Sequence, residues 1–178
     1  MQLGDDWLRC LGRRNKSQPQ GQFQVGHSGL LGDRYFGQQG SGLRVGHDQG
    51  ELEDAAAELE AAGYFIAVAT GKSRGGLDRA LAQNALTGRF HATRCADEGR
   101  PKPHPDMLLH LIDFVGVTAG ETLMIGDTTH DLDLARNAGA QGLAVAYGAH
   151  DPAGLEERRP LATVHSVAEL GHWLARHG

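Results

Sequence analysis

The chain has 178 residues, a formal net charge of -5 at pH 7 and two cysteines, which suggests one domain without a disulfide framework. The acidic balance gives no basic surface for nucleic acid, and no apolar run approaches the roughly 20 residues of a membrane-spanning helix. Acidic residues near the start, without a basic and then an apolar region, do not resemble a secretory signal. We therefore expect a soluble cytoplasmic protein whose oligomeric state the composition leaves open.

Residues 1–50 differ in composition from the rest of the chain. They hold 11 of the 26 glycines, and their apolar residues follow no sustained period of 2 or 3.6. Such a segment buries too little apolar surface to offset the entropy lost on ordering it. We predict a mostly irregular or disordered N-terminal segment, with a short helix near Asp5–Leu11 as its candidate element, and a folded domain over residues 51–178.

From residue 51 onward, patterns typical of helices and of buried strands alternate. In chain order they predict a helix over 52–62, a strand over 64–69, a helix over 74–86 capped by Ser73, a short strand over 90–93, a helix from 105 to about 115, a strand over 122–125, a helix from about 132 to Gly139, strands over 143–147 and 163–164, and a helix over 167–176. Continuously apolar strands between helices are typical of a parallel sheet covered on both faces. We therefore predict an α/β fold.

The most informative stretch is the turn between the predicted strand over 122–125 and the helix after it. Asp127 follows the strand end, and Asp131 lies four residues further on, at the helix start. Mg²⁺ prefers one or two carboxylates together with water and phosphate oxygens, and ligands of open α/β sheets lie outside the carboxyl ends of the strands. The turn is a plausible Mg²⁺ site, although an ordinary turn with two solvated acids fits the same residues.

Two further stretches place polar groups where they could bind an anion. Thr70 ends a predicted strand and offers a hydroxyl, while Gly71 and Lys72 offer backbone N–H groups at a helix start. Lys102 lies between two prolines that restrict the backbone, and a fixed ammonium is a good partner for a phosphoryl oxygen. Taken alone, each stretch is more commonly an ordinary turn or a solvated lysine.

Other candidates for chemistry are weaker. His104, His110 and His130 lack the close spacing of metal ligands. Cys95 has no recognisable partner that would activate its thiol. We expect none of them to carry the reaction.

In their order along the chain, three segments resemble motifs two, three and four of the haloacid dehalogenase superfamily, namely Thr70–Lys72, Lys102–Pro105 and Gly126–Asp131. The amino-acid sequence around these motifs is similar to the phosphoglycolate phosphatase-like branch of that superfamily, and the resemblance covers about residues 51–178. It implies a Rossmann-like sheet and Mg²⁺-dependent hydrolysis of a small phosphorylated metabolite, with phosphoglycolate as the leading substrate.

The resemblance also implies a role for each candidate residue. Thr70 binds the transferring phosphoryl group, with Gly71 and Lys72 beside it, and Lys102 stabilises the charge of that group. Asp127 holds Mg²⁺, directly or through water, and Asp131 supports this metal site. The chemistry agrees, because phosphoryl transfer depends on positioning and on neutralising charge more than on proton transfer.

The nucleophile that this family uses is not found. It is an aspartate in the pattern Asp-x-Asp-Gly-Thr that ends a central first strand and forms an aspartyl-phosphate. Residues 1–63 do not contain the pattern, and the passing likeness at 47–52 lies too close to Thr70 for the usual first helix and cap. Without that first strand and cap, the fold is expected to be incomplete at its N-terminus, with unpaired backbone groups on the neighbouring strands.

Three hypotheses follow from this departure. Residues 1–50 could be an out-of-frame reading of the segment that encodes the first strand and cap. They could instead be a diverged N-terminus on a non-catalytic protein that keeps phosphate or Mg²⁺ binding. The third hypothesis is a stable α/β domain without activity.

Overall fold

The computed structural model describes residues 9–13, 57, 59–84 and 86–177, and for residues 9–13 it describes the backbone. Within these ranges six strands and five α-helices have both ends described, which are β1 (Arg9–Arg13), β2 (Tyr64–Thr70), α1 (Arg74–Gln83), β3 (Ala92–Cys95), α2 (Asp106–Val115), β4 (Thr122–Gly126), α3 (Thr129–Ala138), β5 (Gln141–Val145), α4 (Pro152–Glu156), β6 (Thr163–Val164) and α5 (Val167–His177). Of the helix predicted over 52–62, residues 57 and 59–61 are helical, while 52–56 and 58 lie outside the described part. Short 3₁₀ helices lie at Ala96–Glu98 and Ala119–Glu121. None of the described helices is long and apolar enough to cross a membrane.

The six strands form one sheet in the order β3-β2-β1-β4-β5-β6. The pairs β2–β3, β4–β5 and β5–β6 are parallel, as the apolar runs predicted, whereas β1 is antiparallel to both of its neighbours. The α/β prediction is therefore confirmed, with a sheet that is parallel except for one central strand. Because β2 and β4 point the same way, their carboxyl ends lie at the same edge of the sheet.

β1 corrects the prediction for the N-terminal segment. Arg9–Arg13 lies between β2 and β4, with Cys10 opposite both Ala67 and Met124, so the central position of the sheet is not empty. The predicted short helix is wrong over residues 9–11, while residues 1–8 lie outside the described part. Two buried strands with unpaired N–H and C=O groups favour any extended segment that can pair with both, and five residues without a strand pattern do so here.

Helices cover both faces of the sheet, because successive residues of a strand point to opposite sides. Ala67 of β2 and Met124 of β4 pack with the buried residues of α2 and α3, which include Met107, Leu108, Leu111, Leu134 and Ala135. The alternate positions Ile66 and Ile125 pack on the other side, in a cluster with Leu143, Val164 and Leu170. Each fully buried side chain of this size contributes roughly 1.5–3 kcal/mol to folding.

Several helices and strands begin or end at residues other than the predicted ones. α3 begins at Thr129, before the predicted 132, because Thr128 and Asp131 form a capping box. α1 ends at Gln83 rather than 86, and Leu86 is buried although it lies beyond the helix. β3 starts two residues later than predicted, because Phe90 packs against the core from the loop before it.

Candidate active site

Thr70, the last residue of β2, is fully buried and begins the first loop of the candidate site. Its Oγ1 accepts a hydrogen bond of 3.1 Å from the Lys72 N–H, which closes a tight turn. Ser73 caps α1, as predicted, by accepting the Gly76 N–H at 3.3 Å. A hydroxyl that accepts a bond still has a proton to donate, so Thr70 can offer that proton to an oxygen bound in front of the loop.

The start of α1 is tied to the segment after β3 by a network that the sequence analysis missed. The Arg74 guanidinium donates to both oxygens of Glu98, at 2.9 and 2.8 Å, and to Thr93 Oγ1 at 2.7 Å. Asp97 accepts the Arg74 backbone N–H, and the Lys72 carbonyl accepts the Ala96 N–H at 3.0 Å. Burial alone would lower the pKa of Arg74, but the bond to Glu98 holds it above its ordinary value. The loop of Thr70 is therefore held from both ends.

Lys102 and Asp131 form a buried ion pair. Lys102 Nζ lies 2.8 Å from Asp131 Oδ1, and the two side chains are only 8% and 1% exposed. The turn that carries Lys102 is fixed to α3 because Asn137 Nδ2 donates to the Pro103 carbonyl at 2.9 Å. The prolines were predicted to restrict the direction of the Lys102 side chain. In the structure its ammonium lies next to Asp131, the second aspartate of the turn after β4.

Asp131 is held on both of its oxygens. Oδ2 accepts the Thr128 N–H at 3.1 Å and the Thr128 hydroxyl at 2.8 Å, while Oδ1 faces Lys102. A Cβ placed on Gly126 would overlap the Asp131 side chain, so this close approach requires glycine there. The geometry favours Asp131 as a support for Lys102 and for the helix start more than as a direct metal ligand.

Asp127 is the carboxylate better arranged for a cation. It is 7% exposed and directly follows the carboxyl end of β4. Its Oδ2 accepts the Ala149 N–H at 2.9 Å, and its carbonyl accepts the His150 N–H at 3.2 Å. One held carboxylate suits Mg²⁺, which takes its other ligands from water and phosphate. In the described part of the chain, no three His, Cys, Asp or Glu side chains cluster as a metal site by themselves.

The haloacid dehalogenase-like hydrolase family has a model that matches residues 50–145, more than half of the chain. The chain belongs to that family. The matched segment contains all three motifs on which the resemblance was based, so the recognition from sequence is confirmed.

Individual relatives of this haloacid dehalogenase-like chain are phosphatases by name. The probable phosphatase IndB of Dickeya dadantii (strain 3937) is 36% identical over 113 residues, 63% of this chain and 49% of the relative. The phosphoglycolate phosphatase of Aliivibrio fischeri (strain ATCC 700601 / ES114) is 30% identical over 120 residues, 67% of this chain and 53% of the relative. The chain thus spans about half the length of these curated relatives.

The fold of the haloacid dehalogenase-like chain is also found among solved structures. A haloacid dehalogenase-like hydrolase from Streptococcus pneumoniae superimposes with a TM-score of 0.61 at 22% identity, over 70% of this chain and 58% of that one. At this identity the likeness establishes the fold alone. It agrees with a sheet whose carboxyl edge carries Thr70 and Asp127.

Of the site residues predicted for this family member, Lys102 and Asp131 contact each other, and Asp127 lies in the same turn as Asp131. Thr70 lies at the same edge, but on β2, which β1 separates from β4. Strands are about 4.8 Å apart, so Thr70 and Asp127 are roughly 10 Å from each other across the sheet.

Sequence reasoning missed the loop over 147–150, which supplies two backbone donors to Asp127. His150 also accepts the Thr129 N–H on its Nδ1 at 3.2 Å, and its ring lies 6.0 Å from that of the exposed His130. The sequence could have indicated this loop only by its position, because it follows β5 at the carboxyl edge of the sheet. Its partners are more than 20 residues away in sequence, and no local pattern indicates them.

Cys95 is fully buried at the end of β3, and burial raises the pKa of its thiol to about 11 although Arg74 opposes this. The thiol is therefore protonated at neutral pH and is no nucleophile. We expect iodoacetamide at pH 8 to leave Cys95 at least about tenfold less modified in the native chain than in urea, because only the thiolate reacts. Peptide mass spectrometry measures this, and equal labelling in both conditions would contradict the burial.

Proposed function

We propose that the chain hydrolyses a small phosphate monoester with Mg²⁺, acting on a phosphorylated metabolite of the phosphoglycolate class. The observation that carries the proposal is the buried ion pair of Lys102 with Asp131. Asp131 lies in the same turn as Asp127, at the edge of the sheet where Thr70 ends β2. Burying a lysine and an aspartate is costly, and such a pair is most useful where an ammonium must be held in place. The names of the relatives support the substrate class.

The proposed roles follow from the contacts. Thr70 donates its hydroxyl proton to one phosphoryl oxygen, and Gly71 offers a backbone N–H beside it. The Lys72 N–H holds the turn in shape by donating to Thr70 Oγ1. The Lys102 ammonium, held 2.8 Å from Asp131 Oδ1, has three N–H donors and can neutralise the developing charge on the phosphoryl group. Two anion-binding elements are thus proposed at the carboxyl edge of the sheet.

Asp127 would hold Mg²⁺, and Asp131 would support the site from the same turn. When bound, the ion neutralises phosphate oxygens and acts as a Lewis acid. Asp127 needs a fixed orientation for this role, and the two backbone N–H groups that it accepts supply one.

The proposed reaction also needs a group that attacks phosphorus. In an aspartyl-phosphate route, a carboxylate oxygen forms a bond to phosphorus as the ester oxygen leaves, and water then hydrolyses the acyl phosphate. Among the described residues, Asp127 and Asp131 are the carboxylates that the contacts place in this turn, and protein groups engage both. The same observation favours a second candidate function, which is a phosphate- or Mg²⁺-binding domain without turnover.

The two functions differ in a simple assay, hydrolysis of p-nitrophenyl phosphate with MgCl₂. For the phosphatase we expect turnover that Asp127→Asn lowers at least about 100-fold, because the substitution removes the charge that holds the metal. Asp113→Asn, on the exposed side of α2, is the matched control and should stay within about twofold of the unsubstituted chain.

A chain that binds Mg²⁺ without turnover would support the binding domain. Turnover that Asp127→Asn leaves unchanged would contradict the proposed site, and a chain with neither turnover nor Mg²⁺ binding would overturn both functions. Circular dichroism of each variant shows whether a loss reflects the site or the fold.

A further inference from the structure

The loop over 147–150 is the part of the site that no motif indicates. We propose that it is a clamp that positions Asp127 for a divalent cation, with Gly148 and His150 as positioning residues. The inference rests on the proposed Mg²⁺ site and adds the residues that set its affinity. We call residues 147–150 the clamp loop.

The clamp loop is built into the same edge of the sheet as Asp127. It follows β5, which pairs in parallel with β4 so that Ala144 lies opposite Gly126, one residue before Asp127. The two strands therefore deliver the clamp loop and the aspartate side by side. α4 begins at Pro152, with Asp151 as its cap, which fixes the far end of the loop.

Two successive backbone donors of the clamp loop hold one residue. The Ala149 N–H donates to Asp127 Oδ2 at 2.9 Å, and the His150 N–H donates to the Asp127 carbonyl at 3.2 Å. The first bond fixes the rotation of the carboxylate, and the second fixes the backbone that carries it. A bond between an N–H group and a carboxylate is charge-assisted and stronger than one between neutral groups.

Gly148 is required by close packing. A Cβ placed on it would overlap the Cβ, Cγ and Oδ2 atoms of Asp127. The Cβ of Asp127 lies next to its backbone, so no change of rotamer can relieve the overlap. Any side chain at position 148 therefore moves Asp127 or the loop, and with it the bond from Ala149.

His150 extends the clamp to the other side of the turn. Its Nδ1 accepts the N–H of Thr129, the first residue of α3, at 3.2 Å. The first N–H groups of a helix have no partner inside it, so this bond ties the helix start to the clamp loop. One loop thus holds the turn at Asp127 itself and again two residues later, at Thr129.

Isothermal titration with MgCl₂ tests the clamp without requiring turnover. We expect Gly148→Ala to raise the Kd for Mg²⁺ by about 10- to 100-fold, the usual effect of removing a group that orients a metal ligand. Gly120→Ala is the matched control, because nothing lies within 4 Å of a Cβ there, and its Kd should stay within about twofold.

A second pair of variants keeps the test decisive if Gly148→Ala does not fold. His150→Ala should weaken Mg²⁺ binding, and His150→Asn should restore most of it, since its amide oxygen can accept the Thr129 N–H where Nδ1 does. A purely structural histidine would not show this rescue. Mg²⁺ binding that neither Gly148→Ala nor His150→Ala changes overturns the clamp alone. An unsubstituted chain that binds no Mg²⁺ overturns the proposed metal site and the clamp with it.

Discussion

Replacing Leu11 with proline will lower the free energy of unfolding of the domain by at least about 1–3 kcal/mol. Leu11 is the middle residue of β1 and lies opposite Ile66 on one side and Leu123 on the other. Proline has no N–H and is not tolerated in a central strand, and a buried carbonyl that loses its partner costs roughly 1–3 kcal/mol before any steric clash. That is a large part of the 5–15 kcal/mol that typically stabilises a domain.

Urea unfolding followed by circular dichroism measures this effect. Ala168→Pro is the control, because it lies in the first turn of α5, where proline is tolerated, and should change stability by about 0.5 kcal/mol or less. If Leu11→Pro is as stable as this control, β1 does not occupy the centre of the sheet.

The register of β1 against β2 can be tested with cysteine variants of β2. Directly opposed residues of an antiparallel pair are close enough for a disulfide, so Ala67→Cys should cross-link to Cys10 on oxidation. Ala69→Cys, two residues further along β2, is not opposite Cys10 and should not cross-link.

Replacing Lys102 with methionine will destabilise the domain by about 3–5 kcal/mol, because it leaves the carboxylate of Asp131 buried without its cation. The double variant Lys102→Met/Asp131→Asn removes both charges and should recover part of this loss. Urea unfolding of the two single variants and the double variant gives the coupling energy between the two residues.

The matched control is Arg136→Met. Arg136 also pairs with an aspartate, Asp133, at 2.7 Å, but its side chain is 65% exposed. Exposed pairs contribute at most about 1 kcal/mol, so this variant should lose little stability. If Lys102→Met costs no more than Arg136→Met, the buried pair does not form in solution and the lysine is not held at the site.

The sequence was sufficient for the parts of the fold that local patterns encode. Apolar runs that stop at Thr70 and Gly126 located two strand ends, and polar residues after them located the candidate site. Lys102 was recognised by its prolines, but its partner could not be known, because an ion pair across 29 positions leaves no periodic trace.

What the sequence could not show depends on contacts between distant segments. The bonds from Arg74 to Glu98 and from the clamp loop to Asp127 join residues that are far apart in the chain. β1 is the clearest case, since Arg9–Arg13 carries no strand pattern and is extended because two neighbouring strands each bond to it. The conformation of such a segment is set by its pairing with neighbouring strands and not by the strand propensity of its residues.

The reversed central strand also changes how the sheet is assembled. In a parallel β-α-β unit, the connecting helix places the second strand beside the first. β1 is separated from β2 by residues 14–63, and it pairs with β2 on one side and with β4 on the other. β1 is therefore held in the sheet by backbone pairing with two strands that lie far from it in the chain. A separate extended peptide that pairs with both β2 and β4 would compete with β1 for this central position.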